Sequence, residues 1–256
     1  MADKIYKEIA STAALLWEKG WAERNGGNIS RDITGLISHE LQQTATKCIT
    51  LYKALPDLNN RVFLVTGTGT RMRDVAIDPY DNLCVVAVVN EGTAYKILSD
   101  NGRKPTSEIP SHLQIHDFMR KNCPQNTTIV HTHPTSLVAM THLPQFTNEE
   151  LFCNTLWKMI PETYVFLPDG IALLPYLMPG GNEVANASVE AFSTGKSLIV
   201  WAKHGAFAIA PDAMDAFDKI DLAEKSADIY LRAKATGTEP IGLTDADLQE
   251  LKDTYL

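Results

Sequence analysis

Seven consecutive apolar residues, Leu83-Cys84-Val85-Val86-Ala87-Val88-Val89, leave no side of that segment to turn toward water. A valine-rich run of this length reads as a strand buried on both faces, so the chain has to build a covered sheet. Arg61-Val62-Phe63-Leu64-Val65-Thr66 reads as another strand, stopping at Gly67-Thr68-Gly69-Thr70, and the β-branched Thr127-Thr128-Ile129-Val130-His131 as a third. Thr163 to Leu167 and Ile171 to Leu174 flank Pro168-Asp169-Gly170 as the arms of a hairpin would. Ser197 to Trp201 and Ala206 to Ile209 repeat that layout around Lys203-His204-Gly205. Between these lie helices. Residues 3 to 23 place Ile5, Ile9, Ala13, Leu16, Trp17 and Trp21 at helical spacing before Asn25-Gly26-Gly27-Asn28 stops the helix. Pro110 to Lys121 has the same spacing, Asp212 to Lys234 is a long amphipathic helix, and Thr244-Asp245-Ala246-Asp247 has capping-box spacing for a last one. The sum is an α/β (α+β) chain with mainly antiparallel strands.

The 256 residues carry no repeat, no low-complexity segment and no Gly/Ser/Pro-rich linker, which favours a single domain over 1–256. Lys plus Arg number 23 against 31 Asp plus Glu, a formal charge of −8 that supplies no attraction to a phosphate polymer, so no nucleic acid is expected as a partner. The apolar runs fall far short of the roughly 18 residues of a membrane span, and charges interrupt the N-terminus where a signal peptide needs an apolar core. No membrane association and a cytoplasmic location are expected. Cys48, Cys84, Cys123 and Cys153 form no C-x-x-C pair and read as reduced packing residues.

His131-Thr132-His133 is the sharpest local signal. Residues i and i+2 of an extended chain project from one face, so the two imidazoles can reach one metal ion; otherwise they are solvated or hydrogen-bonded histidines. His204, between the apolar run Leu198 to Trp201 and Gly205, is the leading third donor. His112 and His116, four apart on an expected helix, are a rival pair. No Glu follows His112 as it does in a zinc peptidase helix, so this pair reads as helix surface or hydrogen-bonding groups. His39 and His142 have no partner spacing. Glu108, in Pro105-Thr106-Ser107-Glu108-Ile109-Pro110, is either a solvated carboxylate at a helix entry or a base or metal-shell group. Thr106 and Ser107 place hydroxyls and backbone N–H groups at a helix start, which suits a phosphate. Asn25-Gly26-Gly27-Asn28 and Gly67-Thr68-Gly69-Thr70 have the same character, and neither is a nucleotide fingerprint.

The segments Gly20-Trp21-Ala22-Glu23-Arg24-Asn25-Gly26-Gly27-Asn28, Val65-Thr66-Gly67-Thr68-Gly69, Pro105-Thr106-Ser107-Glu108, His131-Thr132-His133, Phe166-Leu167-Pro168-Asp169-Gly170 and His204-Gly205, in this order, resemble the class II, zinc-dependent sugar-phosphate aldolases. The resemblance implies a single domain with a mainly antiparallel central sheet between helical layers, assembled as a homotetramer with sites at subunit interfaces. It implies one Zn²⁺ per subunit on His131, His133 and His204, and a phosphate held by Asn25, Gly27, Asn28, Thr68, Gly69, Thr106 and Ser107. Glu108 matches the catalytic acid/base, and Glu162 a glutamate presented toward a neighbour's site. The implied substrate is a small ketose 1-phosphate, cleaved to dihydroxyacetone phosphate and an aldehyde without an imine-forming lysine. Epimerases and dehydratases of sugar phosphates look similar at the histidines. A metal-dependent phosphate-ester hydrolase is the reading from another class.

Overall fold

The computed structural model describes residues 2–36 and 48–256; His39 lies outside them. The expected sheet forms from strands β1 (Asn28–Asp32), β2 (Cys48–Thr50), β3 (Val62–Thr66), β4 (Leu83–Val89), β5 (Ala94–Ile97), β6 (Thr128–Thr132), β7 (Ala172–Leu174), β8 (Leu198–Trp201) and β9 (Gly205–Ala210). Their order is β2-β5-β4-β3-β1-β6-β9-β8-β7, and every pairing is antiparallel except β7 with β8. β1 therefore sits in the middle, with Asn28 directly opposite His131 of β6.

Strand periodicity sorts side chains between two covered faces. Val62, Leu64, Val85, Ala87, Val130, Leu198, Val200, Ala206, Ala208 and Ala210 share one core with the helices Ala2–Glu18 and Ala213–Lys234. Ile129, Ile199, Trp201, Phe207 and Ile209 turn the other way, against the helices Ile109–Asn122 and Asn182–Phe192. Phe63, Val65, Cys84, Val86 and Val88 continue that second face beneath Ile109 and Leu113. The seven-residue apolar run thus has one set of side chains in each core, which is why it shows no polar face. The sheet lies between helical layers, as the resemblance implied. No helix among the described residues is long and apolar enough to cross a membrane, and the four cysteines are free.

The hairpin expected around Pro168-Asp169-Gly170 does not form. Pro161–Phe166 is a short helix, and Ala172–Leu174 pairs parallel with β8 instead. Pro161 stands in its first turn, and buried Thr163 donates its hydroxyl to the Leu222 carbonyl and shares a hydrogen bond with the Ser226 hydroxyl on the long helix. Tertiary contacts override the β preference of Thr-Tyr-Val. The second expected hairpin is present as β8 and β9, and the capping box on Thr244 and Asp247 is complete.

One buried carboxylate ties the long helix to the segment after β6. Glu224 accepts from the backbone N–H groups of Ser136 (2.8 Å) and Leu137 (2.7 Å), the first turn of the helix Thr135–Met140, so it caps that helix from across the core. This holds the chain that follows His133. Replacing Glu224 by Ala leaves the buried Leu137 N–H and the half-buried Ser136 N–H without their partner, and we expect a loss of about 2 kcal/mol in urea unfolding at neutral pH, with less lost in Glu224→Gln.

Candidate active site

Two turns set the site's walls. After β3 the chain turns at Gly67-Thr68-Gly69, where the Thr68 N–H bonds the Lys104 carbonyl at 2.8 Å and the Thr106 N–H bonds the Thr66 carbonyl at 2.9 Å. The Gly67 and Pro105 loops are thereby laced together, bringing Thr68, Gly69, Thr106 and Ser107 to one rim. Asn25 to Asn28 join the lining as the chain enters β1. Together they border a polar cavity of about 360 Å³. Asn25, Gly27, Asn28, Thr68, Gly69, Thr106, Ser107, Glu108, His131, His133 and His204 all line it. Glu162 does not; it is exposed on the helix Pro161–Phe166.

The three histidines converge. Ring centroids of His131, His133 and His204 are 4.9 to 5.1 Å apart, and one donor atom from each lies within 4.8 Å of the other two. β6 supplies the first pair at its end, and the turn between β8 and β9 supplies His204. Gly205 makes this approach possible: a Cβ there would stand 2.4 Å from the Thr132 carbonyl oxygen and 2.8 Å from the His133 ring. No other residue fits without moving β9 off β6.

The donor set suits a metal. His131 Nδ1 bonds the Ala206 carbonyl at 2.9 Å and His133 Nδ1 bonds Glu23 at 2.7 Å, so in both rings Nδ1 carries the hydrogen and Nε2 keeps its lone pair. Burial, reinforced by the neighbouring rings, holds His131 well below the usual histidine range and His204 down at about 4. Both are neutral near pH 7, the state a metal ligand needs. Trp201 and Phe207 pack on the His131 ring at 5.3 and 4.2 Å and keep water from that side.

Glu108 is buried, and its position corrects the picture of a solvated helix-entry carboxylate. It sits at the N-cap of Ile109–Asn122 without capping it. Its Oε2 accepts from Asn28 Nδ2 at 2.8 Å and lies 3.4 Å from His131 Nε2, and its Oε1 lies 3.7 Å from His204 Nε2. Burial raises its pKa, while the Asn28 amide and His133 oppose the rise. His112 and His116 are likewise not on the helix surface: both are buried and hydrogen-bonded. Glu23 and Arg24 also line the cavity and went unassigned from sequence, although they stand next to Asn25. The signal was there in Glu23-Arg24-Asn25, a charged pair opening a glycine loop. No lysine is among the lining residues.

Residues 7–231 match the family described as Class II Aldolase and Adducin N-terminal domain. A rhamnulose-1-phosphate aldolase of Bacteroides thetaiotaomicron is 41% identical over 98% of this chain and 94% of its own length. Another, from Listeria welshimeri, is 37% identical over 97% and 91%. Among solved structures, a sugar-phosphate aldolase from Thermotoga maritima aligns with a TM-score of 0.81 at 34% identity, covering 93% of this chain and 98% of that one.

The buried histidines beside the site generate a pH dependence. Burial pushes His112 down to about 3 and His116 to about 4, whereas an unfolded histidine titrates near about 6.5. Between those values the unfolded chain binds protons that the folded chain refuses, so stability is fully present above that unfolded value and falls as the pH drops. Each histidine contributes a slope of about 1.4 kcal/mol per pH unit in that window. The urea midpoint should therefore decline steeply below pH 6, and a flat midpoint down to pH 5 would contradict the neutral, buried state of both rings.

Proposed function

The chain belongs to the class II aldolase family, and from this premise we propose that it reversibly cleaves L-rhamnulose 1-phosphate to dihydroxyacetone phosphate and L-lactaldehyde. The observation that carries this reading is the histidine triad with Glu108 and a hydroxyl-lined rim in one cavity, in a chain similar over nearly its whole length to aldolases of that sugar phosphate. His131, His133 and His204 would hold Zn²⁺, which supplies a Lewis acid for the ketose oxygens.

The chain's own groups divide the remaining work. The C3–C4 bond breaks as the C4 hydroxyl loses its proton to solvent and becomes the aldehyde carbonyl, and Glu108 gives a proton to C3 of the triose half; in the condensation direction Glu108 takes that proton back. Its burial suits both tasks, because a raised pKa lies nearer the working pH than that of a solvated carboxylate. Thr68, Gly69, Thr106 and Ser107, together with Asn25 and Gly27, bind the phosphate and so convert remote binding energy into placement of the reacting bond. Asn28 reaches the same cavity, but its side-chain amide is committed to Glu108 and His112. The absence of a lining lysine among the described residues fits a cleavage that needs no imine. Exposed Glu162 acts, in this reading, on the site of a neighbouring subunit in a cytoplasmic homotetramer.

The deciding experiment measures dihydroxyacetone phosphate released by the zinc-loaded protein from L-rhamnulose 1-phosphate and L-fuculose 1-phosphate in parallel. Strong preference for the first is expected; release from neither would remove the aldolase assignment for these sugars. Exhaustive chelation should abolish cleavage and added Zn²⁺ restore it. Glu108→Gln should lower kcat by roughly 10²- to 10⁴-fold while retaining the metal, and near-normal turnover in that variant would take the proton-transfer role away from Glu108.

A further inference from the structure

Behind Glu108 runs a line of buried polar side chains that the cleavage reaction does not itself employ. Asn28 and Ser30 project from the same face of β1, and His112 and His116 from the same face of Ile109–Asn122. Two strand residues advance about 6.7 Å and four helix residues about 6 Å, so the two pairs interleave. His112 Nε2 is hydrogen-bonded to Asn28 Oδ1, Ser30 Oγ lies 2.6 Å from His112 Nδ1, and the same hydroxyl lies 2.8 Å from His116 Nε2. All four side chains are buried, and Phe63 and Phe207 pack against the two imidazoles.

The direction of every bond in this line follows from its first member. Asn28 turns Nδ2 to Glu108, so its Oδ1 must accept from His112, whose Nε2 therefore carries the hydrogen. A neutral His112 then has a lone pair at Nδ1, which accepts the Ser30 O–H. The Ser30 oxygen in turn accepts from His116 Nε2–H. All donors point toward Glu108. Turning the Asn28 amide over would set its carbonyl against the carboxylate, so with Glu108 ionised and the rings neutral the line admits one arrangement. We propose that Ser30, His112 and His116 are positioning residues that lock the Asn28 amide in the orientation that donates to Glu108, and so hold that carboxylate beside His131 and His204. The kinetic consequence rests on the acid/base role given to Glu108 above; the orientation of the line does not.

Two measurements separate these. Imidazole nitrogen spectra of the full-length protein labelled with ¹⁵N-histidine, assigned with the His112 variants, should show His112 and His116 as neutral Nε2–H tautomers. An Nδ1–H form of His112 overturns the proposal. His112→Phe, which keeps an aromatic ring but no donor, should lower kcat roughly 10- to 100-fold with KM for the sugar phosphate unchanged. His112→Gln, which can set an amide N–H where Nε2–H stands, should recover most of that loss. If His112→Phe does not fold, Ser30→Ala, which removes the O–H that His112 Nδ1 accepts and the oxygen that His116 Nε2–H reaches, should lower kcat with KM unchanged, and an unchanged kcat counts against the line. Full turnover in His112→Phe while Glu108→Gln is inactive defeats this proposal alone. Full turnover in Glu108→Gln with the expected tautomers defeats only the role of Glu108.

Discussion

The close approach of β9 to β6 is the constraint on which the site depends. Gly205 presents only a hydrogen to the Thr132 carbonyl and the His133 ring, and the tight turn before it, with Lys203 at φ 64°, aims His204 back over the end of β6. Because β6 also pairs with β1, the same junction sets Asn28 opposite His131 and, through Asn28, sets Glu108 beside the imidazoles. Small residues maintain the distance from behind. Ala206, Ala208 and Ala210 face the long helix Ala213–Lys234, which itself offers Ala213, Ala216, Ala223 and Ala227 to that core.

Burial gives these polar groups their chemical character, and hydrogen bonds make burial tolerable. A desolvated imidazole abandons its charge, so His112, His116, His131 and His204 are neutral and offer one donor and one acceptor each. With that division, a carbonyl or carboxylate behind a ring decides which nitrogen faces the cavity, as Ala206 and Glu23 do for His131 and His133. Glu108 is held between desolvation, which raises its pKa, and the Asn28 amide, which lowers it. A carboxylate balanced in that way is a buried group of the cavity and not a surface charge.

Much of the frame was legible because it rests on local rules. The Leu83–Val89 strand, the β8–β9 hairpin, the helices Ile109–Asn122 and Ala213–Lys234 and the Thr244 cap follow from apolar spacing and capping chemistry. His131 and His133 were readable as a pair because a strand has a period of two. Where local rules fall short, distant contacts decide. Thr163 to Leu167 reads as a hairpin arm but is largely helical, held by the long helix through Thr163, and of the two readings open for His112, helix surface or hydrogen-bonding group, contact with β1 selects the second.

By itself the sequence singled out the candidate site residues and the local conformation most of them adopt, since spacing, glycine turns and hydroxyl-rich loops act over a few neighbours. Only the tertiary structure decided that eleven of the twelve sequence-derived site residues line one cavity while Glu162 stands apart on an exposed helix. It also decided that Glu108 is dry and that His112, Ser30 and His116 stand in line behind it. The reason is physical: burial and hydrogen-bond direction are set by groups 80 or more residues apart, such as Asn28 with Glu108 and Ser30 with His112, and no local pattern encodes those separations.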